Sequence, residues 1–228
     1  MMKFPLRKQS VWYHVGNMEK RMKKASYEGA GLSVSDVPDS WRRIARLSGD
    51  TYKFEKEGGR FLNMVYLSIP LRKEILEWAV SREYLLTERI WVYHFYDEEF
   101  DGFYEREFVS KEEALEEVSW EDMDDEEQEL LMKRIKQRDN PEEEFAGTLF
   151  SVKRYQASQQ LLELEEWSGT CPSQQAEDFA IMRYAEEVLK LDGVYWDEEH
   201  DPIRLSAPRA VIFQSQLHNW SHQKAVSQ

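Results

Sequence analysis

Short apolar runs separated by glycine and proline dominate the pattern of the chain. Aromatic and β-branched residues fill most of these runs, which is typical of strands. Glycine pairs or single glycines flank several of them, and Gly58-Gly59 between two runs predicts a hairpin. Strands are predicted at residues 11–15, 32–35, 51–56, 60–69, 89–96, 147–154, 194–196 and 209–213.

Other segments carry apolar residues at helical spacing. Pro38 suits the first turn of one predicted helix, Ser35 or Asp36 is its predicted cap, and Gly49 is placed just past its end. The pattern places Trp41, Ile44 and Ala45 on its buried face and Arg42 and Arg46 in solvent. Ser110 and Glu113 form a capping-box pattern. Further helices are predicted at residues 18–26, 70–79, 111–118, 121–138, 155–166 and 173–189.

The order of these elements favours one fold class. Strands and helices are mixed without strict alternation, which predicts an α+β protein rather than a doubly wound parallel sheet. The chain has no segment typical of a linker, so we expect one domain over residues 1–228. The acidic helical segment at about 110–145 is expected to be an insertion or subdomain of that domain.

Charge is distributed unevenly along the 228 residues, whose formal net charge is −14. Residues 1–46 contain ten Lys or Arg and four Asp or Glu, a net charge of +6. Residues 97–145 contain six basic and twenty-one acidic residues, a net charge of −15. The acidic segment favours a protein target with a basic surface and disfavours nucleic acid as a partner, although such segments are also typical of solvated helix faces.

Several classes of protein are disfavoured. No apolar run reaches about 18 residues, so no membrane span is predicted. Cys171 is the sole cysteine, which excludes an internal disulfide and indicates a reducing, cytoplasmic setting. The sequence has no Gly-rich phosphate loop and no nucleophile elbow, and its five histidines are too scattered to predict a metal site.

One order of motifs resembles a known family. A strand with Tyr13-His14-x-Gly16, a basic segment, a strand with Ser33-x-Ser35 and a capped helix resemble the first half of the ADP-ribosyltransferase-like fold. Near the C-terminus, residues 192–194 followed by 211–217 are similar to the closing strands of phage and mobile-element members. The resemblance implies a split mixed sheet with flanking helices.

The resemblance also implies a site for NAD, which this family uses as a substrate. His14 would hold the adenine-side ribose, the backbone at Gly16 would meet the nicotinamide amide, and Ser33 and Ser35 would support the cleft. Arg42 or its neighbour would meet the pyrophosphate, because a planar guanidinium suits phosphate oxygens. A half-buried structural role for His14, and ordinary strand alternation for the serines, are the alternatives.

The chain departs from the family at the catalytic carboxylate. Where the family has a Glu on or beside the last strand, this sequence has Gln214 and Gln216. Glutamine retains a hydrogen bond to a ribose but cannot neutralise the developing positive charge, a loss typically of about 10²–10³ in rate. Glu198, or the Glu that follows it, is the candidate carboxylate from the preceding turn.

Two functions therefore remain open. One is an NAD-dependent ADP-ribosyltransferase or glycohydrolase that cleaves the nicotinamide–ribose bond and modifies a protein or nucleic acid in a phage or bacterial conflict. The other is a non-catalytic binding or inhibitor protein that uses residues 97–145 to occupy a basic protein surface. For the first function, we expect the strand of His14 to lie next to the strand of residues 32–35 or to face it across one cleft.

Overall fold

The computed structural model describes most of the chain. The described residues are 4–16, 18, 26–97, 102–119, 136–137, 148–198 and 207–225. The predicted helix at 18–26 lies outside them except for its ends, as does most of the predicted acidic insertion. The predicted helix at 121–138 is described only at Lys136–Gln137, which is a strand, so the prediction is wrong at that end.

Contacts divide the chain into two units, one of residues 1–86 with 157–228 and one of residues 87–156. Strands and helices are mixed in the first unit without strict alternation, and the predicted α+β class is confirmed. No helix in the described part of the chain is long and apolar enough to cross a membrane.

A five-stranded sheet, sheet A, forms the centre of the first unit, with the strand order β1-β5-β10-β11-β3. Its strands are β1 (Leu6–Lys8), β3 (Leu32–Val34), β5 (Arg60–Asn63), β10 (Gly193–Trp196) and β11 (Arg209–Ile212). Strands β5 and β10 are parallel and the other pairs are antiparallel, so the sheet is mixed. β3 is therefore an edge strand of sheet A.

A three-stranded antiparallel sheet, sheet B, lies beside it with the order β12-β4-β2. Its strands are β2 (Val11–Gly16), β4 (Asp50–Glu55) and β12 (Ser221–Lys224). The predicted hairpin through Gly58-Gly59 is wrong, because β4 pairs within sheet B while β5 pairs within sheet A. The two glycines turn the chain from one sheet to the other.

A shared apolar core joins the two sheets. Trp12 of β2 is fully buried, and its ring lies 5.3 Å from Phe61 of β5 and 5.7 Å from Tyr195 of β10. Such aromatic pairs contribute about 0.5–1.5 kcal/mol each beyond the burial of their area. The rest of the cluster comprises Leu32, Val34, Phe54, Ala210, Ile212 and Trp220.

Helices complete the first unit. They are α1 (Pro38–Ile44), α2 (Ile69–Ser81), α4 (Gln159–Leu164), α5 (Ser173–Glu187) and a 3-10 helix at Gln214–Asn219. α5 contacts α2 and strand β10. Residues 155–157, predicted to open a helix, instead belong to a strand, β9 (Thr148–Ala157), and α4 begins after its cap Ser158.

Helix α1 is shorter than predicted. It ends at Ile44, and Arg46, with a φ of 51°, takes the left-handed conformation expected of Gly49. Val37 is the N-cap and has no side-chain cap bond, so the predicted cap is also wrong. Trp41 is buried as predicted, but Ala45 is exposed because the helix ends before it.

The second unit contains the four-stranded sheet C, in the order β7-β6-β9-β8, and one described helix. Its elements are β6 (Leu85–Asp97), β7 (Gly102–Phe108), α3 (Lys111–Ser119), β8 (Lys136–Gln137) and β9 (Thr148–Ala157). The predicted cap of α3 is confirmed, because the Glu113 N–H donates to Ser110 Oγ at 3.1 Å. Glu113 in turn accepts from the N–H of Val109 at 3.0 Å.

Candidate functional site

Strands β2 and β3 meet at the junction of the two sheets. Tyr13 and Ser35 exchange two main-chain hydrogen bonds, each 2.9 Å long. The predicted adjacency of the His14 and Ser33 strands is therefore confirmed. The edge strand β3 of sheet A is therefore joined, just past its end, to the edge strand β2 of sheet B.

His14 is fixed by a contact across this junction. Its Nδ1 lies 2.9 Å from the main-chain oxygen of Ser33. A carbonyl oxygen can only accept, so Nδ1 carries a proton and donates it to Ser33. Nε2 faces Gly16, where an added Cβ would lie 3.1 Å from it.

The side chains of the two predicted serines do not face His14. Leu32 and Val34 point into the core beside Trp12, so the intervening Ser33 points to the opposite face of sheet A. Its buried hydroxyl has no hydrogen-bond partner among the described residues. Ser35 Oγ donates to the carbonyl of Pro208 at 2.7 Å. Only the main chain of Ser33 therefore reaches the histidine.

Gly16 and Arg42 are linked through Gly49. A Cβ on Gly49 would lie 3.0 Å from the carbonyl carbon of Gly16, and the φ of Gly49 is 108°. The Arg42 guanidinium donates to the Gly49 carbonyl at 2.7 Å and to Thr51 Oγ1 at 2.8 Å. The backbones of Gly16 and Gly49 and the guanidinium of Arg42 therefore lie next to one another at the end of β2, beyond His14.

Arg42 also lines an open groove of about 1030 Å³ between α1 and sheet B. Tyr13 and Lys53 lie on the groove side of the sheet, as their register shows. His14 lies on the other face of β2, because successive strand residues alternate. The groove holds three cations and three carboxylates: Arg42, Lys53, Lys224, Asp36, Asp39 and Asp50.

The three predicted catalytic residues do not converge. Glu198 follows β10 and lies 3.3 Å from the guanidinium of Arg209, at the start of β11. Gln214 and Gln216 follow the other end of β11, in the 3-10 helix. β11 spans Arg209–Ile212, so three strand steps of about 3.3 Å, or about 10 Å, separate those ends.

The segment of Gln214 and Gln216 is linked through Ser215 to a charge network on the helices that includes a buried ion pair. Glu165, fully buried at the end of α4, lies 2.6 Å from Arg183 of α5. Burial raises the pKa of Glu165, while the Arg183 guanidinium and the Ala30 N–H oppose that shift. Arg183 also pairs with Glu186 at 2.8 Å, and Glu186 accepts from Ser215 at 2.5 Å.

A second cavity, of about 300 Å³, lies on the helical side of sheet A, and no motif predicted it. Arg209 stacks over the Trp196 ring at 4.9 Å, and both line this cavity. The other lining residues are Tyr27, Pro172, Gln174, Gln175 and Asp178. They come from distant parts of the chain, so spacing alone could not have grouped them.

Comparisons with protein-family models, curated proteins and solved structures give no match for this chain. The function is therefore inferred from the geometry of the described residues.

Proposed function

We propose that this protein has an ADP-ribosyltransferase-like fold and binds NAD where β2 meets β3, with slow or absent release of nicotinamide. The observation that supports this is a series of neighbouring groups that runs from Ser33 through His14, Gly16 and Gly49 to Arg42, around the end of β2 from one face to the other. Four of the five residues expected to hold NAD belong to that series. The two sheets that meet there also fit the split sheet of this fold.

Each member of the series offers a group that NAD can use. The His14 ring is oriented by the bond from its Nδ1 to the Ser33 carbonyl, and in the neutral form its Nε2 can accept from a ribose hydroxyl. The backbone of Gly16, beside the His14 ring, is proposed to meet the nicotinamide amide. Arg42 has five N–H donors and is already oriented by two of them, so the others suit pyrophosphate oxygens.

The chemistry is proposed to be weak because Glu198, the predicted carboxylate that the structure describes, does not accompany this series. Glu198 is paired with Arg209 beyond the start of β11. The glutamines at the other end of that strand are neutral. Ground-state contacts to NAD then persist while the stabilisation of the cationic transition state is lost.

Calorimetry with NAD and with ADP-ribose tests the proposal. We expect the wild type to bind and His14→Ala to bind at least about tenfold more weakly, which corresponds to about 1.4 kcal/mol. Ser33→Ala is expected to retain binding, because only its carbonyl contacts the histidine. His222→Ala is a matched control, since His222 is exposed on the far strand of sheet B and stacks on Phe54.

Two results would count against the proposal. A folded wild type that does not bind at about 1 mM NAD leaves His14 as a structural cap on the edge of β3. Equal weakening by His14→Ala and His222→Ala shows a general effect on sheet B. A separate assay of nicotinamide release measures the chemistry: rapid release would show that the catalytic acid lies elsewhere in the chain.

A second candidate function is a non-catalytic protein that binds a basic protein surface. Helix α3 supports it, because Ala114 is buried while the carboxylates of Glu112, Glu113, Glu116 and Glu117 lie on its exposed side. Poly-lysine binding should fall when these four residues are changed together to glutamine. Retained binding would remove α3 from such a surface.

A further inference from the structure

Strand β1 forms the edge of sheet A opposite to β3, and β5 is the one strand that pairs with it in the part of the chain that the structure describes. The two ends of β1 show which main-chain groups face β5. The carbonyl of Pro5 accepts from the Asn63 N–H at 2.8 Å, and the Gln9 N–H donates to the Gly59 carbonyl at 2.9 Å. In an antiparallel pair every second residue is hydrogen-bonded to its opposite residue, so residues 5, 7 and 9 direct their main-chain groups to β5.

Leu6 and Lys8 of the same strand therefore direct their N–H and C=O groups away from sheet A. None of these main-chain groups has a hydrogen-bond partner among the residues that the structure describes. Leu6 is 48% exposed and Lys8 is exposed, so water reaches both residues. Donors and acceptors at alternate residues of an exposed edge form the template on which a further strand extends a sheet.

Apolar side chains follow this edge on the helical side of sheet A. Phe4 packs against Tyr184 of α5, with ring centroids 6.0 Å apart. Leu6 lies on the same face as Phe4, because alternate residues of a strand share a face. Val188 is one helical turn beyond Tyr184 and is 44% exposed. An added strand with an apolar side chain opposite Leu6 would therefore remove apolar area from water.

Three cations lie at the other end of the same edge. Lys8 is opposite Arg60 in the ladder, and the Arg60 guanidinium donates to the Lys190 carbonyl at 3.0 Å. All three side chains are exposed, and none has an ion pair among the described residues, including with Glu57 of the turn before β5. Asp192 accepts from the Arg60 N–H, but its carboxylate is already paired with another lysine. The three cations therefore favour an acidic side chain on an added strand.

We infer that the β1 edge binds an extended segment of a partner protein in which an acidic residue, one residue of any type and an apolar residue follow one another. Antiparallel addition places the acidic residue opposite Lys8 and the apolar residue opposite Leu6, and opposite residues share a face of the sheet. A second copy of this chain fits the edge less well. Pairing two β1 strands about their centres brings the two Arg7 residues opposite each other and both sets of cations together.

The inference is independent of NAD binding. Strands β1 and β3 are the two edges of the five-stranded sheet A. Four spacings of about 4.8 Å, or about 19 Å, separate these edges. NAD at about 1 mM should therefore leave binding at β1 unchanged.

Titration of the full chain with blocked pentapeptides tests this edge. The acidic probe is acetyl-Thr-Glu-Thr-Val-Thr-amide, and the basic probe has lysine in place of glutamate. We expect the acidic peptide to bind at about 1 mM or better and the basic peptide to bind at least about tenfold more weakly. Methylation of the valine nitrogen removes a donor to the Leu6 carbonyl and should weaken the acidic peptide at least about tenfold. Methylation of the central threonine nitrogen, which points away from β1, is the matched control and should change binding less than about threefold.

Hydrogen exchange of the main-chain amides locates the bound peptide. In the chain alone, the amide of Arg7 should be protected and those of Leu6 and Lys8 should exchange fast. The acidic peptide at about ten times its dissociation constant should slow Leu6 and Lys8 about tenfold and leave Arg7 unchanged. Binding without this pattern would place the peptide elsewhere and overturn the inference.

Two exposed lysines distinguish this edge from general charge attraction. Lys8→Glu should weaken the acidic peptide at least about fivefold and make the basic peptide the tighter of the two. Lys73→Glu, on α2, makes the same change of charge and should alter either affinity less than about twofold. Equal effects of the two substitutions, equal binding of the two methylated peptides, or no saturable binding below about 10 mM would overturn the inference. Dimerisation that protects the Leu6 and Lys8 amides without peptide would assign the edge to a second copy and overturn it as well.

Discussion

Replacing Arg183 by methionine removes the cation from the buried pair with Glu165 while keeping most of the apolar stem. Glu165 is fully buried and the side chain of Arg183 is 13% exposed, so water replaces little of the lost interaction. Removing one partner of a buried ion pair typically costs about 3–5 kcal/mol, because an uncompensated charge is left behind. That is a large part of the about 5–15 kcal/mol that stabilises a typical domain.

Urea denaturation followed by tryptophan fluorescence measures this loss. Six of the eight tryptophans lie in the first unit, so the signal mainly reports that unit. With a slope of about 2 kcal/mol/M, the midpoint should fall by about 2 M. Lys224→Met is the matched control, because its pair with Asp50 is exposed and its loss should leave the midpoint unchanged.

The pH dependence of stability provides a second, independent test of Arg183→Met. Without the guanidinium, burial and the nearby charge of Glu186 are opposed only by the Ala30 N–H, so the pKa of Glu165 rises further above the ordinary value. A carboxyl whose folded pKa is raised binds its proton more tightly in the folded state, so stability is lost as pH rises through that pKa. The deficit relative to wild type should therefore be smaller at about pH 5 than at about pH 7. An unchanged midpoint, or an equal deficit at both pH values, would refute this account of the pair.

Three further substitutions or reactions test the packing. Gly193→Ala should prevent stable folding of the first unit, because its Cβ would overlap the Val211 carbonyl of the paired strand; a cooperative urea transition near that of the wild type would contradict this. Trp41→Ala should cost about 3–5 kcal/mol, since Trp41 is buried, and an unchanged urea midpoint would contradict its place in the core. Burial raises the pKa of Cys171 to about 11, so its alkylation by iodoacetamide at about pH 8 should be more than tenfold slower than that of free cysteine and should accelerate up to about pH 11. A rate equal to that of free cysteine would show that the thiol is not desolvated.

Residue spacing and turn residues in the sequence determined those strands and helices that depend on a few neighbouring residues. The strands of His14 and Ser33, the helix capped by Ser110, and the α+β class all follow from residue spacing and turn chemistry. These signals act over one or two turns or strand steps, so the sequence expresses them directly. The proximity of His14 to Ser33 was predicted only through the resemblance to a family.

Tertiary structure alone decided which strands pair and where side chains converge. Gly58-Gly59 has the local signature of a hairpin, yet its two strands enter different sheets because Phe54 and Phe61 pack into the core from opposite sides. Strand pairing in the folded chain also places Glu198 and Gln214 beyond opposite ends of β11. Tertiary packing also brings Tyr27, Asp178 and Arg209 around one cavity. Pairing and convergence depend on the burial of distant apolar residues, a free-energy term that no short window of sequence contains.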